Sequence, residues 1–146
     1  CLAGVLAAVR YLETLGRSLG CAANATRRDA LRAAMNGIEA VERELSLKML
    51  AGLAEIPEIR LHGIADPQRV AERFPTFAIT HAKKKTSKVA IDLAQRGIFT
   101  WHGNYYALNL TEALGLEPEG MVRIGLVHYN TAEEVDRLLA ELRHSE

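Results

Sequence analysis

The apolar residues of this chain change their spacing near Pro57, and this change limits the folds that the chain can adopt. Before Pro57, apolar side chains recur every three or four residues, which is the period of an amphipathic helix. After it, short runs rich in branched and aromatic residues alternate with helical segments. The chain must therefore combine long helices with a sheet that is built from the second part of the sequence.

Two helices are predicted before Pro57. The first ends at Gly16, a common helix terminator, and its apolar stripe consists of Leu2, Val5, Leu6, Val9 and Leu12. The second begins at the N-cap pair Thr26 and Asp29 and runs to about Ala54, because Pro57 blocks its continuation. Its apolar positions are Leu31, Met35, Ile38, Val41, Leu45 and Met49.

Four strands are predicted after Pro57. They are EIRLHGI, PTFAITHA, IFTWHG and MVRIGLVHY, at residues 58–64, 75–82, 98–103 and 121–129. Helices are predicted in KTSKVAIDLAQRGI, at the end of NYYALNLTEALGL, and in the last segment, where Thr131 and Glu134 form a capping box. Short connections between such elements are typical of an α+β domain with a small, mostly antiparallel sheet and helices on one side.

Length and charge exclude several classes of protein. A chain of 146 residues is about one domain, and its net charge of zero gives no electrostatic reason to expect nucleic acid as a partner. No apolar run approaches the ~18 residues of a membrane span, and no signal peptide is recognisable. Cys1 and Cys21 do not make a disulfide framework, so we expect a cytoplasmic protein. Because the sequence starts at Cys1 inside a predicted helix, we expect it to be a piece of a longer protein.

Most polar motifs of the chain carry no recognisable chemistry. HAKKKTSK (residues 81–88) lies between a strand and a helix and is interpreted as a solvated turn rather than an anion site. The five histidines show no i, i+4 pairing and no nearby ligands at metal spacing, so no metal site is predicted. No serine elbow or glycine-rich phosphate loop is present, and no catalytic residue is assigned.

The segment FTWHGNYYALNL is the first candidate site, because it groups polar and aromatic side chains between a strand and a helix. These side chains are Trp101, His102, Asn104, Tyr105 and Tyr106, placed around Gly103. Side chains at such junctions often face a cleft on a rigid scaffold. Aromatic rings can equally fill a core while the polar groups satisfy a turn. The residues alone leave both interpretations open.

Arg123 is the second candidate, because it lies in an otherwise apolar predicted strand. Side chains alternate faces along a strand, so Val122 and Ile124 share one side while Arg123 and Val127 share the other. Two largely apolar faces suggest a strand that is covered on both sides, where a guanidinium is costly without an anion. We therefore expect a distant Asp or Glu, or a bound ligand, to pair with Arg123. The short link to residues 104–106 allows both candidates to face one pocket.

Two longer segments, GIFTWHGNYYALNLTEALGL and MVRIGLVHYNTAEEVDRLLAEL, resemble the C-terminal region of class V aminotransferases, most closely the cysteine desulfurase-like proteins. RFPTFAIT and KVAIDLAQRGI are similar to the preceding strand and helix of that region. The resemblance covers nearly the whole chain. Its specific element is VRIGLVHYNTAEEVDRL, whereas the N-terminal helices are unspecific.

This resemblance implies the small domain of a fold-type I enzyme that depends on pyridoxal 5'-phosphate. Residues 1–20 would be the end of the large domain or its linker helix, and residues 21–146 the C-terminal small domain. The longer enzyme would be a homodimer that binds the cofactor and an amino-acid substrate. The isolated chain would bind no cofactor and would be inactive, because the family's cofactor lysine belongs to the large domain. The resemblance leaves desulfurase, lyase, aminotransferase and epimerase reactions open, because the family uses one cofactor for all of them.

The resemblance also implies residue roles. Arg123 would bind the α-carboxylate of the substrate, a role that suits its planar fork of donors. The substrate side of the cleft would be lined by Asn104, Tyr105 and Tyr106. Aligned on Gly103 and Ala107, the sulfur-carrying cysteine of one branch of desulfurases corresponds to Tyr106, which cannot form a persulfide. The alternative function is a non-catalytic α+β module that binds a partner protein or a small anion through Arg123.

Overall fold

The computed structural model describes residues 1–22 and 24–144, and the chain divides into two compact units, Cys1–Glu42 and Arg43–Glu146. The helices are α1 (Leu2–Ser18), α2 (Arg27–Ala54), α3 (Thr86–Gln95), α4 (Leu108–Ala113) and α5 (Ala132–Arg143), with a 3-10 helix at Pro67–Glu72. The strands are β1 (Ile59–His62), β2 (Thr76–His81), β3 (Trp101–Gly103) and β4 (Met121–Gly125). Within the described ranges, no helix combines the length and the hydropathy that spanning a bilayer requires. The predicted division at residue 20 concerns the domains of a longer protein and stays a prediction.

The first unit contains α1 and the beginning of α2, which approach each other closely at Gly16. A Cβ atom at position 16 would lie 1.7 Å from the carbonyl oxygen of Ala30. The prediction that the first helix ends at Gly16 is wrong, because α1 continues to Ser18. This glycine permits contact between two helices, and it does not terminate one.

The beginning of α2 confirms the predicted N-cap pair. The backbone N–H of Asp29 donates to the Thr26 hydroxyl at 3.2 Å, and the backbone N–H of Thr26 donates to the Asp29 carboxylate at 3.1 Å. The hydroxyl of Thr26 also donates to this carboxylate and is the main reason that its pKa lies below the ordinary value. The helix ends at Ala54, as Pro57 predicts.

The second unit contains a four-stranded sheet in the order β1-β2-β4-β3, and all three strand pairs are antiparallel. Phe77, Ile79, Val122 and Ile124 form one continuous patch, because the register places them opposite one another. This patch packs against apolar residues of α2, α3 and α5, namely Leu45, Met49, Leu50, Leu53, Val89, Leu93, Val135, Leu138, Leu139 and Leu142. The predicted α+β class, with a small antiparallel sheet and helices on one side, is confirmed.

The strand β4 is shorter than predicted, because a turn takes over the backbone groups that follow Gly125. The N–H of Val127 donates to the side-chain oxygen of Asn130 at 2.9 Å, and the N–H of Asn130 donates to the carbonyl of Val127 at 2.9 Å. The final helix α5 then starts after Thr131, where the predicted capping box with Glu134 is present.

Candidate functional site

The face of the sheet opposite the core carries Arg123. Directly opposed residues in antiparallel strands share a face, and Arg123 pairs with Ala78 on one side and with Trp101 on the other. Val122 and Ile124 point into the core and are 1% and 4% exposed, whereas Arg123 is exposed. The expectation that both faces of this strand are covered is therefore wrong at Arg123, because the helices of the core pack against the opposite face. Met121, two residues earlier on the face of Arg123, is buried.

Arg123 lies over an aromatic ring. Its Cζ atom is 5.1 Å from the centroid of the Tyr105 ring, which is within the range of a cation–π contact. It forms no salt bridge with any carboxylate of residues 1–22 or 24–144. Of the two partners expected for Arg123, a distant Asp or Glu is thus not found in the part of the chain that the structure describes.

Tyr105 is fixed at both ends of its side chain. Its hydroxyl donates a hydrogen bond to the carbonyl of Met121, at the start of β4. Met121 and Arg123 lie on the same side of this strand, so Tyr105 runs along the open face between them. Burial raises the pKa of the Tyr105 phenol well above its ordinary value, and the nearby charge of Arg123 opposes this rise only in part. The phenol of Tyr105 is therefore harder to ionise than that of an exposed tyrosine.

The backbone of the loop after β3 is held in an unusual conformation. Tyr105 and Tyr106 have φ angles of 55° and 63°, in the left-handed region that side chains rarely adopt. Strain of this kind costs of order 1–3 kcal/mol per residue and is concentrated at functional sites. Asn104 supports the turn, because its side chain accepts from the N–H of Tyr106 at 3.2 Å and its carbonyl accepts from the N–H of Ala107 at 2.7 Å.

Two glycines set the position of this loop relative to β4. A Cβ atom on Gly120 would lie 2.2 Å from the carbonyl carbon and oxygen of Gly103, so the two backbones are in direct contact. This contact joins the end of β3 to the residue before β4 and places Tyr105 beside Arg123.

Sequence reasoning missed Gly120 and the carbonyl of Met121, since both act through the backbone. The glycine that ends EPEG, just before a strand, was the available signal.

The fold thus places the four candidate residues in different environments. Arg123 and Tyr105 are brought into contact, and Asn104 shapes the turn between them. Tyr106 projects into solvent with its side chain fully exposed at 102%. The candidate site consists of an exposed guanidinium above a fixed ring, with a second phenol, that of Tyr106, on the same loop.

A cavity of about 210 Å³ lies elsewhere in the second unit. It is lined by Thr100 and its neighbours, by the end of β4, and by Asn130, Glu134 and Arg137. The hydroxyl of Thr100 is buried and has no hydrogen-bond partner within the described ranges. None of the four candidate residues lines this cavity, so the one pocket expected to join the loop and Arg123 is not this cavity.

The lysines of the chain are all paired with carboxylates. The pairs are Lys48 with Asp136, Lys83 with Glu58, Lys84 and Lys88 with Asp92, and Lys85 with Glu119. The Lys88 ammonium is the main reason that the pKa of Asp92 lies below its ordinary value. HAKKKTSK therefore carries surface ion pairs, in agreement with a solvated turn. Residues 1–22 and 24–144 hold no group of three or more His, Cys, Asp or Glu side chains that could bind a metal ion.

Comparison with known proteins gives one matching family and several relatives. The family model for aminotransferase class-V matches residues 21–138. The aminotransferase-like protein FGM3 of Gibberella zeae is 32% identical over 104 residues, which are 69% of this chain and 25% of that protein. A cysteine desulfurase of Cronobacter sakazakii is 34% identical over 121 residues, which are 77% of this chain and 28% of that protein.

A solved structure agrees with these matches. The apo cysteine desulfurase from Thermococcus onnurineus NA1 superimposes with a TM-score of 0.70 and 25% sequence identity, over 81% of this chain and 28% of that one. The chain spans between 25% and 33% of the length of the first curated relatives that it matches.

Proposed function

The chain belongs to the class V aminotransferase family, and we propose that it is the substrate-side small domain of a pyridoxal 5'-phosphate enzyme that acts on an amino acid. Arg123 binds the α-carboxylate of that amino acid. The loop beside it lines the substrate side of the cleft with Asn104, Tyr105 and Tyr106. The complete enzyme is a cytoplasmic homodimer. Its reaction is one of the several that this cofactor supports.

The environment of Arg123 is the observation that carries this proposal. Its guanidinium lies on the open face of the sheet, over the Tyr105 ring and without a carboxylate partner among the described residues. A guanidinium has five N–H donors in one rigid plane, and contact with a ring uses its charge rather than these donors. A carboxylate can therefore bind to Arg123 while the ring contact persists.

The strengths of the two interactions decide whether Tyr105 obstructs the substrate. A cation–π contact at an exposed site is worth about 0.5–1 kcal/mol. A hydrogen bond to a charged group is worth about 1.5–3 kcal/mol, and a bidentate carboxylate makes two of them. The free energy of binding a carboxylate to Arg123 therefore exceeds that of the ring contact. Tyr105 leaves the guanidinium accessible to the substrate carboxylate.

The residues of this chain alone do not fit the cofactor. Every lysine is paired with a carboxylate, and none lines the cavity. Within the complete enzyme, this chain binds and orients the substrate carboxylate. We expect that the 146-residue chain, mixed with pyridoxal phosphate and reduced with borohydride, is not labelled at one dominant lysine in mass spectrometry. Labelling of a single lysine would contradict this division of roles.

Tyr106 limits the reactions that we propose. A phenol cannot accept sulfur as a thiolate does, so transfer through an enzyme-bound persulfide at this position is not proposed. Because the ring is exposed, Tyr106→Phe should leave the fold unchanged. Loss of all activity in this variant, with substrate binding retained, would give the hydroxyl a role as proton donor.

The proposal is tested by Arg123→Lys in the complete enzyme. Lysine keeps the charge but loses the two-pronged geometry, so kcat/KM should fall by ~100-fold, about 3 kcal/mol. The free energy of unfolding should change by less than about 1 kcal/mol, because Arg123 is exposed and makes no ion pair in the described ranges.

Arg60→Lys is the matched control. Arg60 is exposed on the same face of the same sheet, in β1 rather than β4, and pairs with Thr80. This variant should leave kcat/KM within about twofold of the unmodified enzyme. If Arg123→Lys behaves like Arg60→Lys, the carboxylate role is wrong. The non-catalytic module then becomes the better hypothesis.

A further inference from the structure

Tyr105 contacts β4 at two points on the same face of the strand. Its hydroxyl donates to the carbonyl of Met121, and its ring lies beneath the guanidinium of Arg123, two residues further along. We propose that Tyr105 is a positioning residue that holds the Arg123 guanidinium in its carboxylate-binding orientation before the substrate arrives. This inference rests on the proposed function, because it assumes that Arg123 receives a carboxylate.

An exposed arginine needs such a support. Its long side chain has many rotamers, and the freedom lost when it binds a ligand weakens the binding. A ring that favours one orientation reduces this loss before the ligand arrives. A contact worth about 0.5–1 kcal/mol changes affinity by about 2- to 5-fold, at 1.36 kcal/mol per factor of ten.

The ring can act as a support because it is itself fixed. Asn104 holds the turn in which Tyr105 adopts a φ of 55°, and Gly103 anchors the loop against Gly120. The hydroxyl bond to Met121 then prevents the ring from swinging away from the strand. A strained backbone persists only where its surroundings hold it in place, and here these surroundings place a ring under Arg123.

The same contacts argue against a direct chemical role for Tyr105. Its hydroxyl is already committed to a backbone carbonyl, and burial raises the pKa of the phenol, which makes it a weaker acid. The substrate therefore meets the guanidinium, and Tyr105 acts through it. Tyr106, on the same loop, has a fully exposed ring, whereas Tyr105 is half-buried.

The first experiment measures the orientation of Arg123 in the 146-residue chain by NMR. The side-chain protons of Arg123 should show ring-current shifts that are lost in Tyr105→Leu and largely kept in Tyr105→Phe, which retains the ring. Tyr129→Leu is the control, because Tyr129 is an exposed tyrosine that contacts the His128 ring. Unchanged Arg123 shifts in folded Tyr105→Leu would overturn the inference. If Tyr105→Leu fails to fold, the unmodified chain decides: the side-chain protons of Arg123 should be shifted upfield by the Tyr105 ring, and unshifted protons would overturn the inference.

The second experiment uses the complete enzyme with two probes, L-alanine and ethylamine, which is the same molecule without its carboxylate. The preference for L-alanine, as a ratio of dissociation constants, should fall by ~100-fold in Arg123→Lys and by about 2- to 5-fold in Tyr105→Leu. In the double variant, the Tyr105 change should have no further effect, because the two residues act as a unit.

The outcomes separate the two proposals. If Arg123→Lys leaves the preference unchanged, or if the unmodified enzyme shows none, the carboxylate role of Arg123 is wrong. If Arg123→Lys abolishes the preference while Tyr105→Leu retains it in full, only the positioning role of Tyr105 is wrong. A loss in Tyr105→Leu that also appears for ethylamine would indicate general damage to the site and would likewise overturn the positioning role.

Discussion

Gly120→Ala should destabilise the chain much more than the same change at Gly115. The two glycines have nearly the same backbone, with φ angles of 64° and 67°. At Gly115 an added Cβ would have nothing within 4 Å, whereas at Gly120 it would lie 2.2 Å from two backbone atoms of Gly103 and 2.7 Å from a third. Comparison of the two variants therefore separates the free-energy cost of the φ angle from that of the backbone contact.

The magnitudes follow from these two terms. Alanine in the left-handed region costs about 1–2 kcal/mol, which applies to both positions. Overpacking adds about 1–3 kcal/mol, and it applies to Gly120 alone, where the obstacle is backbone and cannot rotate away. The gain from restricting the unfolded chain is the same for both variants. Gly120→Ala should thus lose about 2–5 kcal/mol of stability, and Gly115→Ala about 1–2 kcal/mol.

Urea denaturation of the 146-residue chain measures this difference. Far-UV circular dichroism follows the helices, and fluorescence of Trp101, the single tryptophan, follows β3 beside Gly103. The slope of each transition should be the same in both variants if only the stability of the native state has changed. Equal losses in Gly115→Ala and Gly120→Ala would refute the reasoning, because they would mean that the loop does not depend on the contact between the two glycines.

Three further predictions concern stability and protonation in the rest of the chain. Thr131→Ala removes the hydroxyl that accepts from the N–H of Glu134 in the capping box and should cost about 0.5–2 kcal/mol in urea denaturation, and a loss near zero would contradict the role of the cap. Leu142→Ala, at a side chain that is 1% exposed, should cost about 2–5 kcal/mol by the same assay, and a loss below about 1 kcal/mol would show that α5 does not pack on the core. Burial, with a smaller effect from Arg60, lowers the pKa of His62 below its ordinary value of 6.5. The neutral imidazole therefore stabilises the fold above pH 6.5, and this stabilisation is lost as the pH falls. An NMR titration of the His62 ring with a midpoint at or above 6.5 would contradict this.

The sequence by itself determined the local structure of this protein and its α+β class. Helix starts could be read directly, because the pair Thr26 and Asp29 and the box of Thr131 and Glu134 satisfy backbone donors within one turn. The alternation of apolar residues likewise predicted the four strands, because it reflects the local period of the chain. The specific motif around Arg123 also indicated the family before any contact was known.

Tertiary structure decided which residues meet and which face is open. Arg123 lies in an inner strand of the order β1-β2-β4-β3 and is exposed because the core helices pack on the other face of the sheet. Strand order and the side on which helices pack both depend on contacts between distant segments. Gly16 could be mistaken for a helix end, since its contact with Ala30 lies in another helix. The ring of Tyr105 beneath Arg123 depends on a left-handed turn and on two touching glycine backbones. Neither feature leaves a periodic signal in the sequence, because each is created by backbone atoms that meet only when the chain is folded.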